Sequence, residues 1–130
     1  MLPKNRRLTK KQVENVLQPR SRARRVSSKY FFASFLPVSF GPTSLSPNSF
    51  KPPTLRFAVV ASKKIASLAV ERNKIRRRVY SGLEGLWRTL KKPARSVDGV
   101  IMVKSEIKKA SSYELVHDLE RLLRAGGLVD

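Results

Sequence analysis

One hundred and thirty residues with 41% apolar content suit a single domain with one modest core and exclude a merely disordered basic tail. A formal charge of +19, from 28 Lys/Arg against 9 Asp/Glu, repels itself in the compact state and points to a polyanionic partner, nucleic acid ahead of an anionic membrane surface. The lack of cysteine excludes disulfides and thiolate zinc sites, and one histidine, His117, leaves little for an imidazole-based metal site.

The charge is zoned. Residues 1–82 carry 19 of the 28 cations but only two acids, Glu14 and Glu71, while the other seven acids lie after residue 83. One side of the molecule is therefore expected to meet the polyanion. No apolar run reaches the length of a membrane span. Met1-Leu2-Pro3-Lys4 leads straight into charge without the apolar segment of a secretory signal. A reducing, cytoplasmic setting is expected.

Residues 1–8 read as a basic arm. Thr9-Lys10-Lys11-Gln12 has the spacing of a capping box, and Val13, Val16 and Leu17 follow at helical intervals, so a short helix should end before Pro19. Residues 20–28 read as a basic Arg/Ser connection. Tyr30-Phe31-Phe32-Ala33-Ser34-Phe35-Leu36 is aromatic and predicts a strand. Residues 37–53 are rich in Pro, Ser and Gly and form a long loop with room for a further short strand.

Leu55, Phe57, Val59 and Ala61 alternate and predict the next strand. Lys63-Lys64 then leads into the longest helix, over residues 70–91, with a stripe of Ile75, Val79, Leu83, Leu86 and Leu90 and a stop at Pro93. Val100-Ile101-Met102-Val103 predicts a strand buried on both faces. Ser111-Ser112-Tyr113-Glu114 is a second capping box; it opens a helix with Leu115, Leu119, Leu122 and Leu123 inward, ended by Gly126-Gly127. The whole of 1–130 is one α+β domain.

The most informative segment is Arg72-Asn73-Lys74-Ile75-Arg76-Arg77-Arg78. With Ile75 turned to the sheet, Asn73, Arg76, Arg77 and Tyr80 fall on one flank and the outer face, and Lys74 and Arg78 on the other. Arginine suits phosphate because its planar fork donates two parallel hydrogen bonds. An ordinary solvated helix face mixes both signs, and this one has almost no acids. Without a helix-turn-helix pair or a zinc finger, RNA is favoured over a DNA groove.

Catalytic groups do not gather in the same way. Glu71 and Glu84 stand more than three helical turns apart, Asp98 lies beyond Pro93, and His117 beside Asp118 reads as a surface or core-edge residue. Trp87 and Tyr80 flank the apolar stripe and read as packing residues ahead of base-stacking ones.

Arg56-Phe57, Ser62-Lys63-Lys64-Ile65, Val70 and Arg72-Asn73-Lys74-Ile75-Arg76-Arg77 together resemble the signature of the bacterial ribonuclease P protein subunit. Arg6-Arg7-Leu8 looks like that family's basic arm, and Val100 to Val103 with Ser111 to Leu123 like its last strand and helix. Ala66-Ser67 replaces the family's usual Gly-Asn-like pair.

The resemblance implies a four-stranded sheet with three helices in the order α-β-β-β-α-β-α, ribosomal protein S5 domain 2-like, with a left-handed βαβ crossover. It implies binding of the ribonuclease P RNA by Lys63, Lys64, Arg72, Asn73, Lys74, Arg76, Arg77 and Arg78. It also implies a cleft for the 5′ leader of precursor tRNA lined by Val13, Leu17, Phe32 and Ser34; Val13, Leu17 and Ser34 stand where the family often has aromatic residues, and Phe32 supplies a ring nearby. The protein then broadens substrate specificity, while magnesium bound by the RNA performs the endonucleolytic cut and no cofactor or metal is bound by the protein alone. The alternative is a basic ribosomal or RNA-assembly protein with no role in cleavage.

Overall fold

The parity of the strands sends alternate side chains to opposite faces of one sheet, and the two faces acquire different duties. A computed structural model describes residues 7–18, 23–38, 55–90 and 96–128. The elements are α1 (Lys10–Leu17), β1 (Arg24–Ser27), β2 (Phe31–Val38), β3 (Leu55–Val60), α2 (Ala69–Leu86), β4 (Ser96–Val103) and α3 (Ser112–Ala125). The first six residues of the basic arm and most of the 37–53 loop lie outside the described residues. The α+β class, three helices and four strands agree with expectation.

The strand order is β1-β2-β4-β3. β2 runs antiparallel to both β1 and β4, whereas β3 and β4 are parallel neighbours joined through α2. One face carries Phe31, Ala33, Phe35, Leu55, Phe57, Val59, Ile101 and Val103, packed in one core with Ile75, Val79 and Leu83 of α2 and Leu119, Leu122 and Leu123 of α3. The other face carries Phe32, Ser34, Ala58, Val60, Val100 and Met102, and α1 packs across its β2–β4 part with Val16 fully buried. Both expected capping boxes form, Thr9 with Gln12 and Ser111 with Glu114.

Four details differ from the sequence reading. A strand, β1, occupies Arg24–Ser27 inside the stretch read as a connection. It is an edge strand with three exposed residues, and only Val26 packs on the core, so no alternation announced it. β4 begins at Ser96, four residues before the apolar run; Asp98 and Gly99 interrupt the apolar pattern there, so pairing with β2 and β3 defines its first half. α2 ends at Leu86 and tightens into a 3₁₀ turn over Trp87–Thr89, short of residue 91; Thr89 Oγ1 donates to the Leu86 carbonyl there. A second 3₁₀ turn, Ser105–Lys109, buries Ile107 below α3.

Gly99 has a packing reason. It lies between Phe35 and Phe57 in one row across β2, β4 and β3, and both rings fold over it. An added Cβ would lie 2.8 Å from the Phe57 ring and 2.9 Å from Phe35. Gly99→Ala should therefore overpack the middle of the sheet and lower stability by about 1–3 kcal/mol. An unchanged urea midpoint would show that the rings shift without cost.

Candidate nucleic-acid interface

The interface is built outward from the start of α2. The helix begins at Leu68 with no side-chain cap. Its entry is shaped instead by the turn after β3, where the Ile65 and Ala66 N–H groups donate to the Ser62 carbonyl. Arg72 reaches back and donates through Nη1 to the carbonyls of Ala66 (3.0 Å) and Ser67 (2.9 Å). Those two bonds tie the turn that follows Lys63 and Lys64, both exposed, to the first turn of the helix. Further along, Arg78 donates through Nη2 to the Ala110 carbonyl at 2.7 Å, tying α2 to the segment that precedes α3. Two of the eight expected RNA-binding residues thus also hold the fold.

Asn73, Arg76, Arg77 and Tyr80 share a face, as their spacing required, and they meet a partner the sequence did not announce. Leu8 donates its N–H to the Phe57 carbonyl at 3.1 Å, and Arg7 bridges Phe57 in parallel register, so the end of the arm extends the sheet past β3. Arg7 consequently joins Val59, Asn73, Arg76, Arg77 and Tyr80 around one notch. Tyr80 is buried, and its hydroxyl accepts the Val59 N–H at 3.1 Å, which makes it the wall of the notch. Arg76 is half-buried, and its Nε is buried without an acceptor among the described residues. A buried N–H left so is costly.

The helix itself sharpens the field. Cations crowd the N-terminal half of α2, the positive end of its dipole, and Glu71 is the single acid of the first turn. Lys74 stands exposed on the flank toward α3. A bound polyanion relieves both repulsions at once.

The residues expected to line a leader cleft share the second face of the sheet. Val13 and Leu17 on α1 are half-buried, and Phe32 is 48% exposed. Ser34 is on the same face but is covered, at 4% exposure. Beside Phe32 in register stand Met102 and Val60, both half-buried, so the surface is apolar and shallow. Lys104 adds charge: its Nζ lies 4.1 Å from the Phe32 ring centroid and donates to the Ser28 carbonyl and Ser27 Oγ. Met102, Val60 and Lys104 escaped the sequence reading because strand register alone places them beside Phe32.

The acids that might suggest chemistry are engaged in structure. Asp98 is buried and takes a two-pronged pair from Arg56, Nε at 2.9 Å and Nη2 at 3.0 Å. Asp118 accepts from the Ser28 hydroxyl at 2.7 Å and the Tyr30 N–H at 3.0 Å, locking the β1–β2 turn onto α3. The hydroxyl of Tyr30, followed by hydrogen bonds from Ser111, holds the Glu114 carboxyl below its ordinary range. His117 is exposed with its ring edge-on to Tyr113, and Trp87 packs edge-on to Phe57. Among the described residues no three His, Asp or Glu side chains converge, and no helix is long and apolar enough to cross a membrane.

The family model for Ribonuclease P matches residues 2–126. The chain is similar to a structure of the Staphylococcus aureus RNase P protein, with 16% identity and a TM-score of 0.70 over 96% of this chain and 98% of that one. It is also similar to a mutant of that protein with defective mRNA degradation activity, at 17% identity and a TM-score of 0.73 over 96% and 91% of the two chains. The RNase P protein from Thermotoga maritima matches at 18% identity with a TM-score of 0.61, over 80% and 84%. At these identities the likeness establishes the fold. No curated protein sequence matches the chain significantly.

Proposed function

Because the chain belongs to the Ribonuclease P family, we propose that it is the RNA-gripping subunit of a bacterial-type ribonuclease P and helps to remove the 5′ leader from precursor tRNA. The observation that supports this reading is the notch around which Arg7, Asn73, Arg76 and Arg77 converge, three cations and an amide with no acid among the residues that line it. Phosphate oxygens fit it, since they can take two parallel bonds from each guanidinium.

In this reading the ribonuclease P RNA lies along the outer face of α2. Lys63, Lys64, Lys74, Arg76 and Arg77 meet its phosphates, Asn73 offers an amide to sugar or phosphate, and Arg72 and Arg78 divide their donors between the fold and the RNA. The precursor-tRNA leader crosses the opposite face, over Val13, Leu17 and Phe32, with Ser34 supporting α1 from beneath. The Phe32 ring, with Lys104 Nζ over one face, offers its other face for stacking a base. Hydrolysis belongs to the RNA and its bound magnesium, and the protein supplies grip, position and a broader substrate range. A cytoplasmic setting goes with that role.

Reconstitution with a bacterial ribonuclease P RNA at low magnesium tests the proposal. The protein should raise the rate of leader removal severalfold, because it neutralises phosphates that magnesium would otherwise screen. An unchanged rate would favour the basic ribosomal or assembly protein instead.

A further inference from the structure

The outer ridge of α2 has two flanks, and the notch accounts for one. On the other flank α2 and α3 enclose a groove of about 450 Å³, with Arg77 lining both the groove and the notch. The floor of the groove is apolar: Leu86 and Leu115 are buried and Val116 is half-buried. Its rim carries the exposed guanidinium of Arg77 and the exposed hydroxyls of Ser81 and Ser112, and no acid lines it. The bond from Arg78 to the Ala110 carbonyl fixes the two sides relative to each other, so the groove exists before anything binds.

Two glycines of α2 border it, and they differ in their reasons. At Gly82 an added Cβ would meet Leu115 and Leu119 at 3.3 Å, so close packing of α3 accounts for the small residue. At Gly85 an added Cβ would meet nothing within 4 Å, and the backbone has no positive φ to favour glycine. Glycine inside a helix costs about 1 kcal/mol relative to alanine. Neither packing nor backbone conformation repays that cost at Gly85, and the space beside it is open.

An apolar slot with a cationic, hydroxyl-bearing rim, continuous with the cationic notch, fits a flat ring with apolar faces and a polar edge, attached to a negative charge. RNA presents such a group wherever a nucleotide is unstacked. We propose that the α2–α3 groove receives one unstacked nucleobase of the bound ribonuclease P RNA, with an adjoining phosphate on Arg77. The inference rests on the RNA-gripping function proposed above and adds a point of shape recognition to it.

The test uses the full chain and an in vitro transcribed bacterial ribonuclease P RNA. Gly85→Ala should fold with a slightly raised Tm, which checks that the helix accepts a side chain at this position. Gly85→Phe fills the slot and should weaken binding about tenfold. The salt dependence should stay unchanged, because no phosphate contact is removed. Parental affinity in Gly85→Phe overturns the inference, and so does a loss accompanied by a flattened salt slope, which would mark disturbed phosphate docking.

Should Gly85→Phe fail to fold, zero-length ultraviolet crosslinking of the parent chain decides. Crosslinked bases on residues 81–86 or 112–116 support the slot, and crosslinks confined to residues 63–77 overturn it. If the parent chain does not bind this RNA at all, the underlying function fails and the slot with it.

Discussion

The double substitution Arg76→Ala, Arg77→Ala is expected to weaken binding of the ribonuclease P RNA by about 100-fold at moderate salt. Each charge-assisted hydrogen bond contributes about 1.5 kcal/mol, and two lost together amount to roughly 3 kcal/mol, about two decades of affinity. The dependence of log affinity on log salt should also flatten by about 1.4–1.8, the value for two phosphate contacts. Fold stability should hardly change, because Arg77 is exposed and Arg76 has an Nε that finds no partner within the described protein. A titration at several salt concentrations, with urea unfolding as control, separates the two effects. An unaltered slope would remove these arginines from the interface.

Asp98→Ala should do the reverse, leaving the RNA-facing residues in place and undermining the fold. The Asp98 side chain is 6% exposed and its partner Arg56 19%, so the pair is desolvated enough for its loss to strand a guanidinium at the end of the sheet. Breaking such a pair costs about 3–5 kcal/mol, and the partial exposure of Arg56 puts this one near about 3 kcal/mol. That is a large part of the stability of a domain this size. The double variant Arg56→Met, Asp98→Leu, which removes both charges, should recover most of the loss. Urea midpoints of the single and double variants measure it. Equal midpoints for Asp98→Ala and the parent would mean that the pair contributes no net stability.

The helices were the most legible part of the fold. The stripe from Ile75 to Leu86 and the two capping boxes carry local signals, and local signals survive without knowledge of the partner. The cationic face of α2 was legible for the same reason. β1 was not, because an exposed edge strand lacks the apolar alternation that marks its neighbours.

The candidate site was legible only in its helical half. Arg7 enters through a backbone pairing with Phe57, fifty residues away in sequence, and no periodicity encodes such a pairing. Ser34, expected to line the leader cleft, shares a face of β2 with Phe32 but is covered, on the face where α1 packs. Asp98 and Asp118, adjacent to apolar runs and without visible partners in sequence, find theirs in Arg56 and the Ser28–Tyr30 turn.

The strand order also bears on how the molecule comes into being. β4 lies between β2 and β3, although it follows both in the chain. During synthesis β2 and β3 therefore emerge with no strand to join them, and the sheet closes only when residues 96–103 have left the ribosome. Non-local pairing of this kind is slow. The cation-rich first 82 residues all precede that strand in the chain. One late, central strand thus completes the sheet on which the cationic helix is held.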